Sequence, residues 1–349
     1  MTKATLWCDG HLDLAYLAVN GRDLTRRDAC DPSVGCLTLP ALRDGGVHTA
    51  FATIFTEKGL DGPDRAHRYA SSDDLDGADA AGWRQIEVYE QLERDGHVRI
   101  IRSASDLNSN IDRLLIVLLM EGADPIRAPE DVARWHARGL RIVGLTWAAG
   151  SRYAGGNGPP PGTPPPAGYD IGPLSSLGIE MIHALDDAGI VHDASHLSDA
   201  SFGGLLEHAR GPIIATHSNC RALMNNWQRH LRDDQIRAIA ERGAGGVIGL
   251  NLFGKFLALD HRATIDDCIA HIEHVAEVAG RRDVVALGSD MDGGFPPSGL
   301  PLGLEHPARL HALAEALQAR GWSEAEIAGF AHGNWLRVVR ESLPVSKAV

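Results

Sequence analysis

Between Ile190 and Arg221 the chain reads IVHDASHLSDASFGGLLEHARGPIIATHSNCR, two short apolar runs that each end on a histidine, His196 and His217. Phe202, Leu205, Leu206 and Ala209 recur between them at helical spacing, and Gly211-Pro212 closes the helix. The segment therefore predicts strand, helix, strand. Strands joined by so long a crossover run parallel, and a right-handed crossover brings both exits to one edge of a sheet. His196 and His217 are then set side by side, as two imidazoles able to share a metal site. Taken singly, each reads as a satisfied polar residue at a sheet rim, so the other strand exits decide the matter.

Those exits repeat the pattern. Ala4 to Cys8 predicts a short buried strand leading into Asp9-Gly10-His11-Leu12-Asp13. In extended backbone residues i and i+2 face one side, so His11 and Asp13 are expected to grip one ion together. Val47 to Phe55 predicts a second strand, after a charged excursion over residues 20–45 that carries Cys30 and Pro32 and receives no role. Arg113 to Met120, RLLIVLLM, reads as a fully buried parallel strand ending at Glu121, and a carboxylate there is expensive to bury unless it binds something. Strand Leu140 to Thr146 exits at Trp147. Strand Val247 to Leu252 follows the histidine pair, and strand Val284 to Leu287 leads into Gly288-Ser289-Asp290-Met291-Asp292-Gly293.

Helices are expected at Asp79–Glu93, Glu130–Arg138, Leu174–Ala188, Asp233–Arg242 and Thr264–Ala279, and through the tail from Pro307. The run GGNGPPPGTPPPAG at 155–168 is neither helix nor inner strand. It reads either as a stiff surface loop or as a wall or lid over a site. Nine candidate strands are one more than a (β/α)8 barrel needs, and Val98 to Ile101, the shortest and without a polar exit, is the surplus one. The expected fold is an α/β (β/α)8 TIM barrel, distorted, as one domain over residues 1–349 with an N-terminal excursion and C-terminal helices. All strand exits of such a barrel share one rim. His11, Asp13, Glu121, His196, His217 and Asp290 then converge there from roughly 280 residues of chain.

Six such residues divide into five metal ligands and one free carboxylate. Glu121, with two oxygens, is the natural bridge between two divalent ions, His11 and Asp13 completing one site and His196 and His217 the other. Imidazole and carboxylate without thiolate suit zinc, and manganese, iron or cobalt also fit. Water between two such ions loses a proton near neutral pH and becomes a nucleophile, with Asp290 placed to pass protons. The balance of 33 basic against 46 acidic residues gives −13, which argues against nucleic acid or an anionic membrane as a partner. Five cysteines without a CxxC pair signal neither a disulfide framework nor a zinc knuckle, and point to the reducing cytoplasm. The start of the chain lacks a secretory pattern, and no apolar run nears the ~20 residues of a membrane span.

With DGHLDL at 9–14, MEG at 120–122, LT at 145–146, DASH at 193–196, THSNCRA at 216–222, RH at 229–230, GSDMDG at 288–293 and GNWLRVV at 333–339, the sequence resembles the membrane dipeptidase family, peptidase family M19 of the amidohydrolase superfamily, nearly end to end. The resemblance implies a zinc pair bridged by Glu121, Asp290 as proton shuttle, and a dipeptide substrate whose carboxylate is held by an arginine after the second histidine, here Arg229. It implies tolerance of a D residue on that side, and resembles the soluble members, since no lipid-anchor signal is present. A second copy of the chain remains an allowed partner. Two departures stand out: family members usually show RN where this chain has RH, and many carry His after LT where this chain has Trp147. Trp donates one N–H and cannot become cationic, so Trp147 puts the dipeptide preference in question. The competing reading is a hydrolase of another small amide, an N-acyl amino acid or a lactone on the same barrel.

Overall fold

A computed structural model describes residues 5–27, 33, 35–59, 65–108 and 113–343. Ala4, Cys30 and Pro32 lie outside the described residues, as does the tail beyond Leu343. Eight parallel strands follow one another around a ring: β1 (Trp7–Leu12), β2 (Val47–Phe55), β3 (Leu114–Glu121), β4 (Leu140–Gly144), β5 (Val191–Asp193), β6 (Ile213–Ile214), β7 (Ile248–Leu250) and β8 (Val285–Leu287). Ladders join β1 through β6 in order and β7 to β8. A single parallel bridge, Ala215 to Ile248, links β6 to β7. Between β8 and β1 the described residues form no ladder; Asp290 N donates to His11 O at 3.2 Å and Ser289 N to Asp9 Oδ1 at 2.8 Å instead. This is a distorted (β/α)8 barrel, closed at that seam by its functional loops. Val98–Ile100 lies off the ring and pairs with the first residues of β3, before β4 takes over that edge at Leu118.

Side-chain alternation decides what faces inward. In β3, Leu115, Val117 and Leu119 belong to an inner cluster with Cys8, Phe51, Ile142, Val191, Ile214, Val247 and Ala286, while Leu114, Ile116, Leu118 and Met120 pack outward under the helices. Counting on by twos from the inner positions reaches Thr53, Glu121, Asp193, Thr216 and Asn251, so the same period of two that fills the barrel delivers polar groups to its mouth. Trp335, from the helix Asn334–Ser342, joins the inner cluster and donates its indole N–H to Leu287 O at 2.6 Å. The helix Asn334–Ser342 is thus part of the barrel core.

Several expected boundaries move. β1 starts at Trp7 and contains His11, because it pairs with β2 through two register shifts. Asp13 is not extended (φ −81°, ψ 45°) but begins the helix Leu14–Val19, so the simple i, i+2 argument for His11 and Asp13 fails even though the two remain close. The polar helix runs Leu75–Arg94, four residues earlier than hydrophobic spacing suggested, because Asp74 caps it through Gly77 N. Thr264 and Asp267 form the capping box expected of them, on the helix Ile265–Ala279. Glu130 and Asp131 form a 3₁₀ turn before a short helix, Val132–Ala137. Among the described residues, no helix is long and apolar enough to cross a membrane.

Candidate metal centre

Glu121 ends β3 on the inward side and is 5% exposed. Its Oε2 lies 3.5 Å from His11 Nε2, and its Oε1 lies 3.1 Å from His196 Nε2 and 3.4 Å from His217 Nε2. One oxygen faces each histidine group. His196 Nε2 and His217 Nε2 are 3.0 Å apart, and His11 Nε2 is 3.8 Å from Asp13 Oδ1. Asp13 also accepts a hydrogen bond from Thr53. His11, Glu121 and His217 form one group whose donor atoms lie within 4.8 Å of one another; His11, Asp13 and Asp290 form a second. Asp290 thus sits closer to the first donor set than a detached carboxylate would.

None of the histidines is simply at a strand end. His196 and His217 each follow their strands by three residues, and His196 is held in left-handed backbone (φ 66°). Asn157 explains how: its N–H donates to His196 O at 2.7 Å, and its side-chain oxygen meets His196 Nδ1 at 2.8 Å. Gly155 to Asn157 therefore form a buried wall, while residues 160–168 of the proline-rich run are exposed. The structure divides that run between its two readings. Asn251 Nδ2 donates to Asp290 Oδ2 at 2.9 Å.

The electrostatics separate the imidazoles. Burial works against a charged His11, but the Glu121, Asp13 and Asp290 carboxylates outweigh it and raise His11 to about 10. Burial, with Arg229 adding, lowers His196 to about 4, and burial with His11 and Arg229 lowers His217 well below the usual imidazole range. Burial pushes Asp13 up to about 6 against the pull of His11. It pushes Asp290 up to about 8, opposed by His11 and Arg229 and reinforced by Asp13 and Glu121. Burial would also raise Glu121, but the surrounding histidines hold it well below the carboxylate range. Neutral His196 and His217 beside an ionised Glu121 are in the state that binds a cation, whereas His11 gives up a proton to join them. His11 Nε2 and Glu121 Oε1 are buried without a hydrogen-bond partner, as donors reserved for a metal would be.

Arg229 is 2% exposed and lies over the Phe256 ring at 5.1 Å. It donates to Ser218 Oγ at 3.0 Å and His217 O at 2.7 Å, both neutral, and forms no ion pair with a described carboxylate. Trp147 is partly exposed, its ring 6.1 Å from His196 and 5.4 Å from Phe55. All eight residues singled out from the sequence therefore meet at one mouth. Thr216, Asn157 and Asn251 were not singled out, although each was visible: Thr216 inside THS, Asn157 inside GGNG, and Asn251 as the polar residue ending a predicted strand.

Residues 1–348 match the model of the membrane dipeptidase family, peptidase family M19. The chain belongs to this family. An uncharacterised protein encoded in the pqqA 5′ region of Klebsiella pneumoniae is 35% identical over 269 residues, 74% of this chain and 94% of its own. Rat Dipeptidase 3 is 28% identical over 342 residues, and the chain spans 64% of its length. The crystal structure of a Rhodobacter sphaeroides metallopeptidase, liganded with a phosphinate mimic of the dipeptide L-Ala-D-Ala, is similar with a TM-score of 0.79 and 25% identity, covering 97% of this chain and 99% of that one. As a member of that family the chain is a metal-dependent hydrolase.

Proposed function

We propose that the chain is a binuclear dipeptidase, acting as one domain over residues 1–349, with His11, Asp13 and Glu121 holding one divalent ion and Glu121, His196 and His217 the other. A donor set of imidazole and carboxylate favours zinc. Two ions held there supply Lewis acidity and acidify water near neutral pH. Asp290 receives a proton at its free oxygen and returns it to the leaving amine, while Asn251 holds the other oxygen. Arg229 pairs with the substrate's terminal carboxylate, and Trp147 with the wall at Asn157 narrows the mouth to short substrates. Cys8, Cys220 and Cys268 are buried thiols outside any disulfide, which fits a cytoplasmic protein.

One observation carries the dipeptide reading: a buried guanidinium near the proposed metal donors that hydrogen-bonds two neutral partners and forms no ion pair with a carboxylate among the described residues. Such a charge is costly unless something anionic joins it. Tolerance of a D residue at the C-terminal position is supported by the ligand of the Rhodobacter structure. The test is a screen of L-Xaa-L-Xaa, L-Xaa-D-Xaa, N-acyl amino acid and lactone substrates, with metal content measured on the same protein. Hydrolysis of dipeptides by protein carrying about two ions per chain is expected. Activity confined to lactones or N-acyl compounds refutes the dipeptide assignment and makes Trp147 the first residue to examine.

A further inference from the structure

Thr216 is fully buried inside the barrel, one residue before His217, and the function proposed above leaves it without a role. Its hydroxyl has four polar neighbours: Asp193 Oδ2 at 2.5 Å, His217 Nδ1 at 2.8 Å, His11 Nδ1 at 3.3 Å and Ser195 Oγ at 3.4 Å. A threonine hydroxyl has one hydrogen and two lone pairs. Asp193 behaves as an acceptor, since its Oδ1 takes the N–H groups of Thr216 at 2.9 Å and Ser195 at 3.0 Å. The shortest contact, to Oδ2, therefore takes the hydroxyl hydrogen. The two lone pairs face the two Nδ1 atoms, with Ser195 Oγ the most distant of the four neighbours, and the Nδ1 contacts are attractive only when each Nδ1 carries a hydrogen. With Nδ1 committed to the hydroxyl, Nε2 beside Glu121 is the nitrogen each imidazole has left to offer a metal once any proton on it is given up.

In the binuclear reading His11 and His217 hold different ions, although their donor atoms lie within 4.8 Å of each other and of Glu121. We infer that Thr216, oriented by Asp193, is a positioning residue that fixes the ligand tautomers of both metal sites at once and so links their affinities. This rests on the binuclear reading. The third imidazole is fixed separately, by Asn157. The hub itself is rigid. A Cβ at Gly249 would come within 1.9 Å of Thr216 O, and one at Gly288 within 1.8 Å. Only glycine at position 249 of the adjacent β7 and at position 288, just past β8, lets the Thr216 backbone sit where its hydroxyl spans the two rings.

The test is competition between full-length protein and a chromogenic chelator for zinc, resolving two dissociation constants, for wild type, Thr216→Val, Thr216→Ser and Asn157→Ala. Thr216→Val keeps the shape and removes the hydroxyl; it is expected to weaken both ions by roughly 10- to 100-fold. Thr216→Ser restores the hydroxyl and is expected to stay within about threefold of wild type, whereas a packing role would not be rescued by the smaller residue. Asn157→Ala is expected to weaken one ion only. Should the valine variant not fold, by thermal unfolding of metal-free protein, Thr216→Ala takes its place because it cannot clash. Wild-type affinity for both ions in the hydroxyl-free variant, or loss of one alone, overturns the inference while the binuclear reading stands. A wild-type protein that binds fewer than two ions overturns the binuclear reading itself, and the inference with it.

Discussion

Replacing Arg229 with methionine keeps an apolar stem over Phe256 and removes the guanidinium. In the wild type that group is 2% exposed, with Nη1 on Ser218 Oγ, Nη2 on His217 O and Nε without a partner. A substrate carboxylate taking two charge-assisted hydrogen bonds from it gains about 1.5–3 kcal/mol from each. Desolvating the carboxylate takes back part of that sum, so about 2–4 kcal/mol of transition-state stabilisation depends on the pair. Arg229→Met is then expected to lower kcat/KM for free dipeptides by roughly 30- to 1,000-fold.

The decisive measurement is a cycle that pairs the substitution with amidation of the substrate. In the wild type, converting the C-terminal carboxylate to an amide should cost a factor of the same size. In Arg229→Met it should cost almost nothing, because the partner is gone. The variant is expected to fold, since the cation it removes pairs with no described carboxylate and burial already depresses its pKa. A variant that still prefers the free carboxylate over the amide by the wild-type factor refutes the clamp, however much its overall activity has fallen.

Two further outcomes are expected. Asp290→Asn should keep both metals and lose roughly 10²- to 10⁴-fold in kcat, whereas Glu121→Gln should lose metal; equal turnover in Asp290→Asn and wild type, read beside elemental analysis, would remove Asp290 from proton transfer. Asp186 should carry an acid-sensitive part of the stability: burial alone would raise its carboxyl, but hydrogen bonds from His192 and the Arg210 and Gly211 amides outweigh that and hold it well below the carboxylate range. A depressed pKa stabilises the fold fully above the unfolded value of about 4, and that stability is lost progressively as pH falls from there through the lower folded value. Asp186→Asn should therefore cost about 1–3 kcal/mol near pH 7 in denaturant titrations, with the gap to wild type shrinking below about pH 4; a constant gap would show that charge is not the cause.

The barrel was legible because each strand is a short apolar run with a polar exit, and because β3 is apolar throughout as a strand buried on both faces must be. The side chains proposed as metal donors were legible as polar exits for the same reason. What the sequence hid was how the exits are held. β5 to β8 contribute only two or three residues each to ladders, so His196, His217 and Asp290 sit beyond the strands, where no period governs direction. Their placement depends on contacts between segments far apart in the chain. Asn157 reaches His196 across 39 residues and Asn251 reaches Asp290 across another 39. Arg229 was found by resemblance; its burial against Phe256 has no local signature.

The excursion over residues 20–45, to which the sequence assigned nothing, is explained by backbone strain at the opposite end of the chain. Among the described residues only His196, Asp290 and Asp292 combine a side chain with left-handed backbone (φ 66°, 58° and 59°). Such residues cost about 1–3 kcal/mol each and persist only where their surroundings over-determine them. Asp290 is held by its N–H to His11 O and its carboxylate to Asn251. Asp292 is held by the excursion: its carboxylate accepts the amides of Cys36 at 2.8 Å and Leu37 at 2.8 Å and pairs with Arg22, whose side chain is 12% exposed. Leu37 is buried, and Thr38 caps the helix Leu39–Asp44 that follows. The second Asp of GSDMDG thus fastens the excursion to the loop that carries the first. By that contact the excursion anchors Asp292 two residues beyond Asp290, whose own backbone and carboxylate are held by His11 and Asn251.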